Sequence, residues 1–211
     1  LSGHATHVIA GIEPHRLAKV PAGLDPGEAA FGVLGSVSIH GVHKAKVELG
    51  EYVMVSGLGL VGQMALQFIA QMGCEALIAV DLEPFRLGKA RQLGATHAVN
   101  PKETDLKELV WALTGKKGLD VTVEASGFPE ALVGAFDLAR VGGRIMGLGS
   151  AWNRKVEVDF TPFLDKELQL VGCHQPKCPT SPSHYYRWTQ QHNRRQVLKM
   201  IADQRLDVAS L

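Results

Sequence analysis

Short apolar runs alternate along the chain with longer amphipathic segments. The apolar runs lie at residues 52–56, 76–80, 97–100, 119–124, 142–149 and 168–172. Between them apolar side chains recur at helical spacing, which predicts helices over residues 61–72, 84–93, 104–113 and 129–140. Strands that alternate with helices form parallel sheets with helical crossovers. The pattern therefore predicts an α/β fold with a doubly wound, six-stranded parallel sheet.

The two ends of the chain depart from this alternation. Residues 175–182 are rich in proline and polar side chains, which predicts a loop. Residues 185–205 predict a final helix, with Trp188, Val197, Met200 and Ile201 as buried positions. The first residues, Leu1-Ser-Gly-His4, resemble neither a signal peptide nor a natural start, so we expect the chain to begin inside a longer one.

A glycine-rich turn, Gly57-Leu-Gly59-Leu-Val-Gly62, joins the first predicted strand to its helix. Gly57 allows a sharp turn, Gly59 leaves room for phosphates beside bare backbone, and Gly62 lets the helix pack tightly on the strand. The amides of Leu60 and Val61 then point at an anion from a helix N-terminus. The turn therefore predicts a Rossmann dinucleotide-binding domain.

An acidic residue, Asp81, follows the second predicted strand and comes nineteen residues after Gly62. This spacing is close to that of the carboxylate that holds the adenosine ribose in such domains. A carboxylate accepts hydrogen bonds from both ribose hydroxyls and repels a 2′-phosphate. The sequence therefore predicts NAD as cofactor, with NADP less favoured. A simple strand-end cap is the alternative interpretation of Asp81.

Composition narrows the classes of function. The chain has 211 residues, of which 45% are hydrophobic and 20% charged, as in ordinary globular proteins. Its formal net charge of +1 gives no electrostatic footprint for nucleic acid or an anionic membrane, and no apolar run approaches a bilayer span. Three cysteines without CxxC spacing favour a reduced, cytoplasmic setting over disulfides.

Five further motifs accompany the glycine turn, namely Val20-Pro-Ala-Gly-Leu-Asp-Pro-Gly-Glu-Ala-Ala30, Ala45-Lys-Val-Glu-Leu-Gly50, Leu93-Gly-Ala-Thr-His-Ala-Val-Asn100, Val123-Glu-Ala-Ser-Gly127 and Val141-Gly-Gly-Arg144. In this order they resemble the medium-chain dehydrogenase/reductase family, in its zinc-type alcohol and polyol dehydrogenase branch. The resemblance implies three parts. Residues 1–30 would be closing strands of a truncated GroES-like catalytic domain, residues 31–175 the cofactor domain, and residues 176–211 a return segment and C-terminal helix.

The resemblance implies an NAD-dependent dehydrogenase that transfers hydride between a carbinol carbon and nicotinamide, with a small alcohol or carbonyl compound as substrate. Its cofactor-binding residues would be Gly57, Gly59, Leu60, Val61 and Gly62 at the pyrophosphate, Asp81 and Arg86 at the adenosine ribose, Ala125, Ser126 and Gly127 at the riboses, and Gly147, Leu148 and Gly149 at the carboxamide. Arg86 as a solvated helix charge, and the two later turns as loop geometry alone, remain alternatives.

Zinc is where this sequence departs from the family pattern. A catalytic zinc needs three protein ligands and an open position. The resemblance places two ligands before this chain and the third in the segment aligned with residues 32–36, which contains no Cys, His, Asp or Glu. We favour His40 and His43 as helix residues over ligands, and His174 and Cys178 as loop residues. We expect no metal or catalytic residue in this chain, and zinc only in a full-length parent.

Two other functions and one partner follow from the same residues. A zinc-independent oxidoreductase resembling quinone reductases, or a nucleotide-binding module without activity, would also fit the sequence. The sixth predicted strand, residues 168–172, is apolar and lacks the lysines or proline that usually blunt an exposed edge. We therefore expect a two-fold homodimer through this strand, as the resemblance also implies. The alternative is that the C-terminal helix around Trp188 covers the edge.

Overall fold

A six-stranded parallel sheet forms the centre of the molecule. The computed structural model describes residues 17–151, 153–184 and 186–211. The strands are β1 (Tyr52–Ser56), β2 (Ala76–Val80), β3 (His97–Val99), β4 (Leu119–Glu124), β5 (Ala139–Gly147) and β6 (Gln169–Gly172). Their spatial order is β3-β2-β1-β4-β5-β6, with every neighbouring pair parallel. This confirms the doubly wound fold, whose strand order reverses between β1 and β4.

Helices cover both faces of the sheet. They are α1 (Pro26–Ala29), α2 (Phe31–Ala45), α3 (Leu60–Ala70), α4 (Pro84–Gln92), α5 (Leu106–Thr114), α6 (Pro129–Leu138), α7 (Thr161–Asp165) and α8 (Gln190–Ala202). Alternate strand residues face opposite layers: Val53 and Val55 join the core with α2, α3 and α8, while Met54 packs with α5 and α6. None of the helices in the described part of the chain is long and apolar enough to cross a membrane.

The boundary between α6 and β5 differs from the prediction. The helix ends at Leu138 instead of residue 140, and the strand runs over Ala139–Gly147 instead of residues 142–149. Gly142 and Gly143 looked like a turn that enters the strand. They lie instead inside an irregular stretch of the strand, where the register against β4 shifts between Leu119 and Val121. Such an irregularity depends on the partner strand, so local sequence does not reveal it.

The C-terminal helix is also shorter than predicted. Helix α8 begins at Gln190 instead of residue 185 because the Thr189 hydroxyl caps it, accepting a hydrogen bond from the His192 amide at 3.1 Å. It ends at Ala202 instead of residue 205. The loop predicted for residues 175–182 contains a short 3₁₀ helix, Gln175–Lys177.

Helix α8 packs on α2 and leaves the β6 edge uncovered. A Cβ at Gly35 of α2 would lie 2.5 Å from a Val197 methyl, so the two helices approach closely. Val197, Met200 and Ile201 are buried as predicted, whereas Trp188 is only partly buried. Leu170 in β6 remains 46% exposed. The alternative in which this helix covers the edge strand is therefore wrong.

The described part of the predicted closing strands contains no strand. Residues 17–30 contain the short helix α1 and no strand. The side chain of Asp25 caps this helix, accepting hydrogen bonds from the amides of Gly27 at 2.8 Å and Glu28 at 3.2 Å. The rest of that prediction concerns residues 1–16, which lie outside the described residues. The division into three parts stays a prediction.

Candidate functional site

The glycine turn between β1 and α3 has room for a ligand at one position only. Gly57 has a φ of +89°, and a Cβ there would lie 2.4 Å from the Ser126 nitrogen. A Cβ at Gly62 would lie 1.9 Å from the Gly57 carbonyl oxygen. Gly59 differs, because a Cβ there would meet nothing within 4 Å. The backbone is therefore tightly packed at Gly57 and Gly62 and open beside Gly59. Binding of a pyrophosphate requires such an opening.

Helix α3 presents its N-terminus at this opening. Its N-cap is Gly59, which has no side chain to accept hydrogen bonds from the first-turn amides. Leu60 and Val61 are the first two helical residues, and Leu60 is 42% exposed. The amides of a helix N-terminus carry a partial positive charge. The position therefore suits an anionic phosphate.

Asp81 lies at the end of β2 and joins the glycine turn to the following loop. Its Oδ2 accepts a hydrogen bond from the Leu58 amide at 2.7 Å, and its Oδ1 accepts one from the Glu83 amide at 2.9 Å. The Arg86 guanidinium lies 3.5 Å from Oδ2, with its side chain 49% exposed. Asp81 is therefore a strand-end cap, yet a carboxylate has about four acceptor positions and retains capacity for ribose hydroxyls.

A cavity of about 470 Å³ lies at the carboxyl ends of β1, β2 and β4. Its wall contains six of the predicted cofactor residues, namely Gly57, Gly59, Asp81, Arg86, Ala125 and Ser126. The cavity is at the point where strand order reverses, which is where open α/β sheets bind ligands. The other seven are not part of this wall, namely Leu60, Val61 and Gly62 of the glycine turn, Gly127, and residues 147–149.

Gly127 and residues 147–149 form two interlocked turns beside the cavity. Gly127, after β4, has a φ of +74°, and a Cβ there would lie 2.8 Å from the Ser150 carbonyl oxygen. A Cβ at Gly149, after β5, would lie 2.3 Å from the Gly127 nitrogen. The Leu148 and Gly149 amides both donate to the Glu124 carbonyl oxygen at 2.8 Å. Side chains on these glycines would force the two turns apart.

Glu124 holds the turn after β4 through its side chain and the turn after β5 through its backbone carbonyl, and it was not among the site residues predicted from the sequence. Its Oε1 accepts hydrogen bonds from the Ser126 amide at 2.6 Å, the Gly127 amide at 3.1 Å and the Ser126 hydroxyl. The residue is 2% exposed, and burial raises its pKa against the opposing effect of these bonds. The available signal was a charged residue at the last position of a strand, directly before the predicted turn at residues 125–127.

The described residues do not fit a zinc site. Residues 32–36 form the start of α2, and no group of three or more His, Cys, Asp or Glu in the described part of the chain could hold a metal ion. The donor set that zinc requires is therefore not assembled among these residues. We assign no step to a metal.

The two histidines of α2 make packing contacts. His40 is 4% exposed and its Nδ1 lies 2.8 Å from the Tyr186 hydroxyl. His43 stacks on Trp188 with ring centroids 4.1 Å apart. Burial lowers the pKa of each to about 4, helped by Lys44 for His40 and chiefly by His192 for His43. Both rings are neutral at pH 7, and both lie in a helix as favoured from the sequence.

Comparison with known proteins gives a consistent result. The family model described as zinc-binding dehydrogenase matches residues 61–192. Sorbitol dehydrogenase from Bacillus subtilis is 33% identical over 153 residues, which are 72% of this chain and 43% of that protein. The chain spans about half the length of the curated relatives it matches.

Solved structures share the fold. An alcohol dehydrogenase from Thermus sp. ATN1 is 27% identical with a TM-score of 0.71, over 89% of this chain and 52% of that one. A putative zinc-binding dehydrogenase from Sinorhizobium meliloti 1021, solved bound to NADP, is 24% identical with a TM-score of 0.74, over 90% of this chain and 52% of that one. The chain belongs to the zinc-binding dehydrogenase family, the zinc-type branch of the medium-chain dehydrogenases/reductases, and comprises its cofactor-binding part.

Proposed function

We propose that this chain is the cofactor-binding half of an NAD-dependent alcohol, polyol or sugar-alcohol dehydrogenase. The observation that carries the proposal is the open space beside Gly59, at the N-terminus of α3 and in the same cavity as Asp81. Membership of the family and the likeness to a sorbitol dehydrogenase support hydride transfer at a carbinol carbon. A small alcohol or carbonyl compound is the proposed substrate.

Each part of the site has a separate task in this proposal. The Gly57–Gly62 turn would hold the pyrophosphate, and Asp81 would hold the adenosine ribose. The turns at residues 125–127 and 147–149 would hold the nicotinamide end. NAD supplies the hydride acceptor when it is bound. The protein's contribution is to fix the orientation of the nicotinamide ring, so that the substrate approaches one face of that ring from a set direction.

We expect the chain to bind NAD more tightly than NADP. A 2′-phosphate would bring negative charge against Asp81, which is 7% exposed in its side chain. Asp81→Asn removes the charge and keeps an acceptor for the Leu58 amide. The ratio of the NADP dissociation constant to the NAD dissociation constant should fall about tenfold, an effect typical of one close charge pair near a surface. Calorimetric titration of both cofactors measures this. The control is Asp105→Asn, at the N-cap of α5 and outside the residues that line the cavity.

Tighter binding of NADP to the wild-type chain would contradict the assignment of Asp81. Loss of both cofactors in Asp81→Asn would indicate a disturbed turn instead of changed specificity. Arg86→Gln provides a second check, because its guanidinium is the group able to favour a phosphate. We expect that variant to weaken NADP binding more than NAD binding.

A zinc-independent reductase resembling quinone oxidoreductases is the second candidate function. It is favoured by one observation, that residues 32–36 offer no Cys, His, Asp or Glu. An assay of the full-length parent against alcohols, polyols and quinones, combined with metal analysis, separates the two enzymes. We propose that the isolated chain is inactive, since no group of three or more His, Cys, Asp or Glu among its described residues could hold a metal ion and it spans about half the length of its curated relatives. Turnover of any simple alcohol by the isolated chain would contradict this.

We propose that two copies pair through β6. The strand is at the sheet edge, bonded to β5 on one side only, and Leu170 is 46% exposed. Leu170→Pro removes a backbone donor and should yield a folded monomer, whereas Leu170→Thr keeps the strand and should remain dimeric. Light scattering at micromolar concentration measures both. A monomeric wild-type chain, or a dimeric Leu170→Pro variant with native circular dichroism, would rule out this interface.

We also propose a cytoplasmic location for the protein. All three cysteines are unpaired. Burial raises the pKa of Cys74 and Cys173 to about 11, so both remain protonated at neutral pH and react slowly with oxidants. Unpaired, unreactive thiols suit a reducing compartment.

A further inference from the structure

A second cavity, of about 520 Å³, lies between the C-terminal half of α2 and the segment that follows β6. We call it the α2–β6 pocket. The residues of its wall used below are His40, Lys44, Cys173, His174, Lys177 and Tyr186. Its volume is within the range of small-molecule sites, which run from about 300 to 1,000 Å³.

The pocket adjoins the turn assigned to the nicotinamide end. The Cys173 amide donates a hydrogen bond to the Gly147 carbonyl oxygen at 3.0 Å, so one wall of the pocket is bonded to the end of β5. In α2, next to the lining residue His40, a Cβ at Gly41 would lie 2.8 Å from a Leu148 methyl, so the helix also packs on the residue after β5. The pocket therefore adjoins the turn at residues 147–149 through Cys173 and α2.

The charged groups of this wall are all of one sign. Lys44 and Lys177 contribute two ammonium groups, and none of the lining residues is Asp or Glu. The Lys44 Nζ is held 2.5 Å from the Gly172 carbonyl oxygen, which uses one of its three N–H donors. The other two are available to a ligand. An anion bound in the cavity would be attracted by both ammonium groups.

Neutral polar groups complete the wall. The Tyr186 hydroxyl and the His40 Nδ1 are 2.8 Å apart, so each fixes the orientation of the other. Burial, and after it the Lys44 charge, lowers the pKa of His40 to about 4, so this pair adds hydrogen-bonding groups without charge at neutral pH. Such a wall can orient hydroxyls next to a charged group.

We propose that the α2–β6 pocket binds an oxyanion, a carboxylate or a phosphate, through Lys44 and Lys177. Each ammonium attracts an anion by a Coulomb interaction that a neutral hydroxyl lacks, so the pocket selects an acid over a neutral polyol. The oxyanion belongs to the substrate, an assignment that rests on the dehydrogenase function proposed above. The substrate class is then an acidic polyol derivative, either a sugar acid or a polyol phosphate.

The test is a nuclear magnetic resonance titration of the ¹⁵N-labelled chain at constant ionic strength. Four probes are used: inorganic phosphate, gluconate, sorbitol 6-phosphate and neutral sorbitol. We expect the three anions to shift the amides of Gly172, Cys173 and His174, and sorbitol to leave them unchanged. Whichever of gluconate and sorbitol 6-phosphate binds more tightly identifies the oxyanion as a carboxylate or a phosphate. Equal binding of sorbitol and gluconate, or no shift at residues 172–174, would overturn the proposal.

Matched lysine variants locate the charge. We expect the double variant Lys44→Met/Lys177→Met to weaken gluconate binding at least tenfold, as loss of two hydrogen bonds from charged donors implies. The double variant Lys116→Met/Lys117→Met makes the same change in net charge in the loop before β4 and should bind gluconate normally. Equal weakening in both double variants would show nonspecific attraction and overturn the site.

The cofactor proposal has its own readout in the same spectra. NAD should shift the amides of residues 57–62, and its failure to do so would remove the dehydrogenase assignment. Such a failure leaves the response of residues 172–174 to gluconate as an independent result. Phosphate that binds the glycine turn is recognised by shifts at residues 57–62 that saturating NAD abolishes. Shifts at residues 172–174 that persist with NAD support the oxyanion site.

Discussion

Gly62→Ala is expected to lower the free energy of unfolding by about 2 to 3 kcal/mol and to abolish measurable NAD binding. The added methyl carbon would lie 1.9 Å from the Gly57 carbonyl oxygen. That carbonyl cannot retreat easily, because Gly57 is itself packed against the Ser126 backbone. Overpacking at such a contact costs roughly 1 to 3 kcal/mol and shifts the backbone. Urea denaturation and calorimetric titration measure the two effects.

Gly59→Ala is the matched control for the loss of stability, since it adds the same methyl group to the same turn. Its Cβ would meet nothing within 4 Å, and its φ of −66° is open to alanine. We expect a loss of stability under about 1 kcal/mol, the typical difference between glycine and alanine at an N-cap. We expect NAD affinity to fall at least tenfold, because the methyl group occupies the phosphate space. A Gly59→Ala chain that binds NAD normally would contradict the pyrophosphate site.

Central strands were predictable because they are buried on both faces. The bounds of β1, β2 and β4 agree with the prediction, and β2 shows the reason most clearly because its sequence is a continuous apolar run. The glycine turn was predictable for a related reason. Positions where a Cβ would clash with backbone accept only glycine, and a set of such positions at fixed spacing is visible in one sequence.

Other features depend on contacts between distant residues, and the sequence does not show them. The start of β5 follows from an irregular register against β4. The α2–β6 pocket joins His40 to Tyr186, which are 146 residues apart. The role of Glu124 is local, yet it appears only when the turn after β5 is seen packed against it. Burial and hydrogen-bond partners of a charged side chain are properties of the fold.

Glu124→Leu should be among the most damaging substitutions outside the glycine turn. It removes the single acceptor of two amides and a hydroxyl, and the residue is 2% exposed. Each buried donor left without an acceptor costs about 1 to 3 kcal/mol, so we expect a loss of about 3 kcal/mol in unfolding free energy. NAD affinity should fall with it, because Ser126 lines the cofactor cavity. Urea denaturation and calorimetric titration measure both effects.

Glu124→Gln separates the charge of this residue from its shape. The amide keeps an oxygen acceptor for the turn, so its cost should be smaller, about 1 kcal/mol. Burial raises the pKa of Glu124 above its ordinary value of 4.5. A raised pKa in the folded state contributes stability that is fully present below the unfolded value and is lost as pH rises through the folded value. The difference in unfolding free energy between wild type and Glu124→Gln should therefore shrink as pH rises.

Urea denaturation of both proteins between pH 4 and pH 8 measures this slope, with the exposed Glu130→Gln as control. A difference in unfolding free energy that is independent of pH, or that grows as pH rises, would contradict the raised pKa of Glu124. The cofactor is a second readout of the same variant. If Glu124 positions the turn, Glu124→Gln should weaken NAD binding even at a pH where its stability equals that of wild type. Unchanged binding there would limit Glu124 to a role in folding, and the interlocked turns would then hold their positions through the backbone alone.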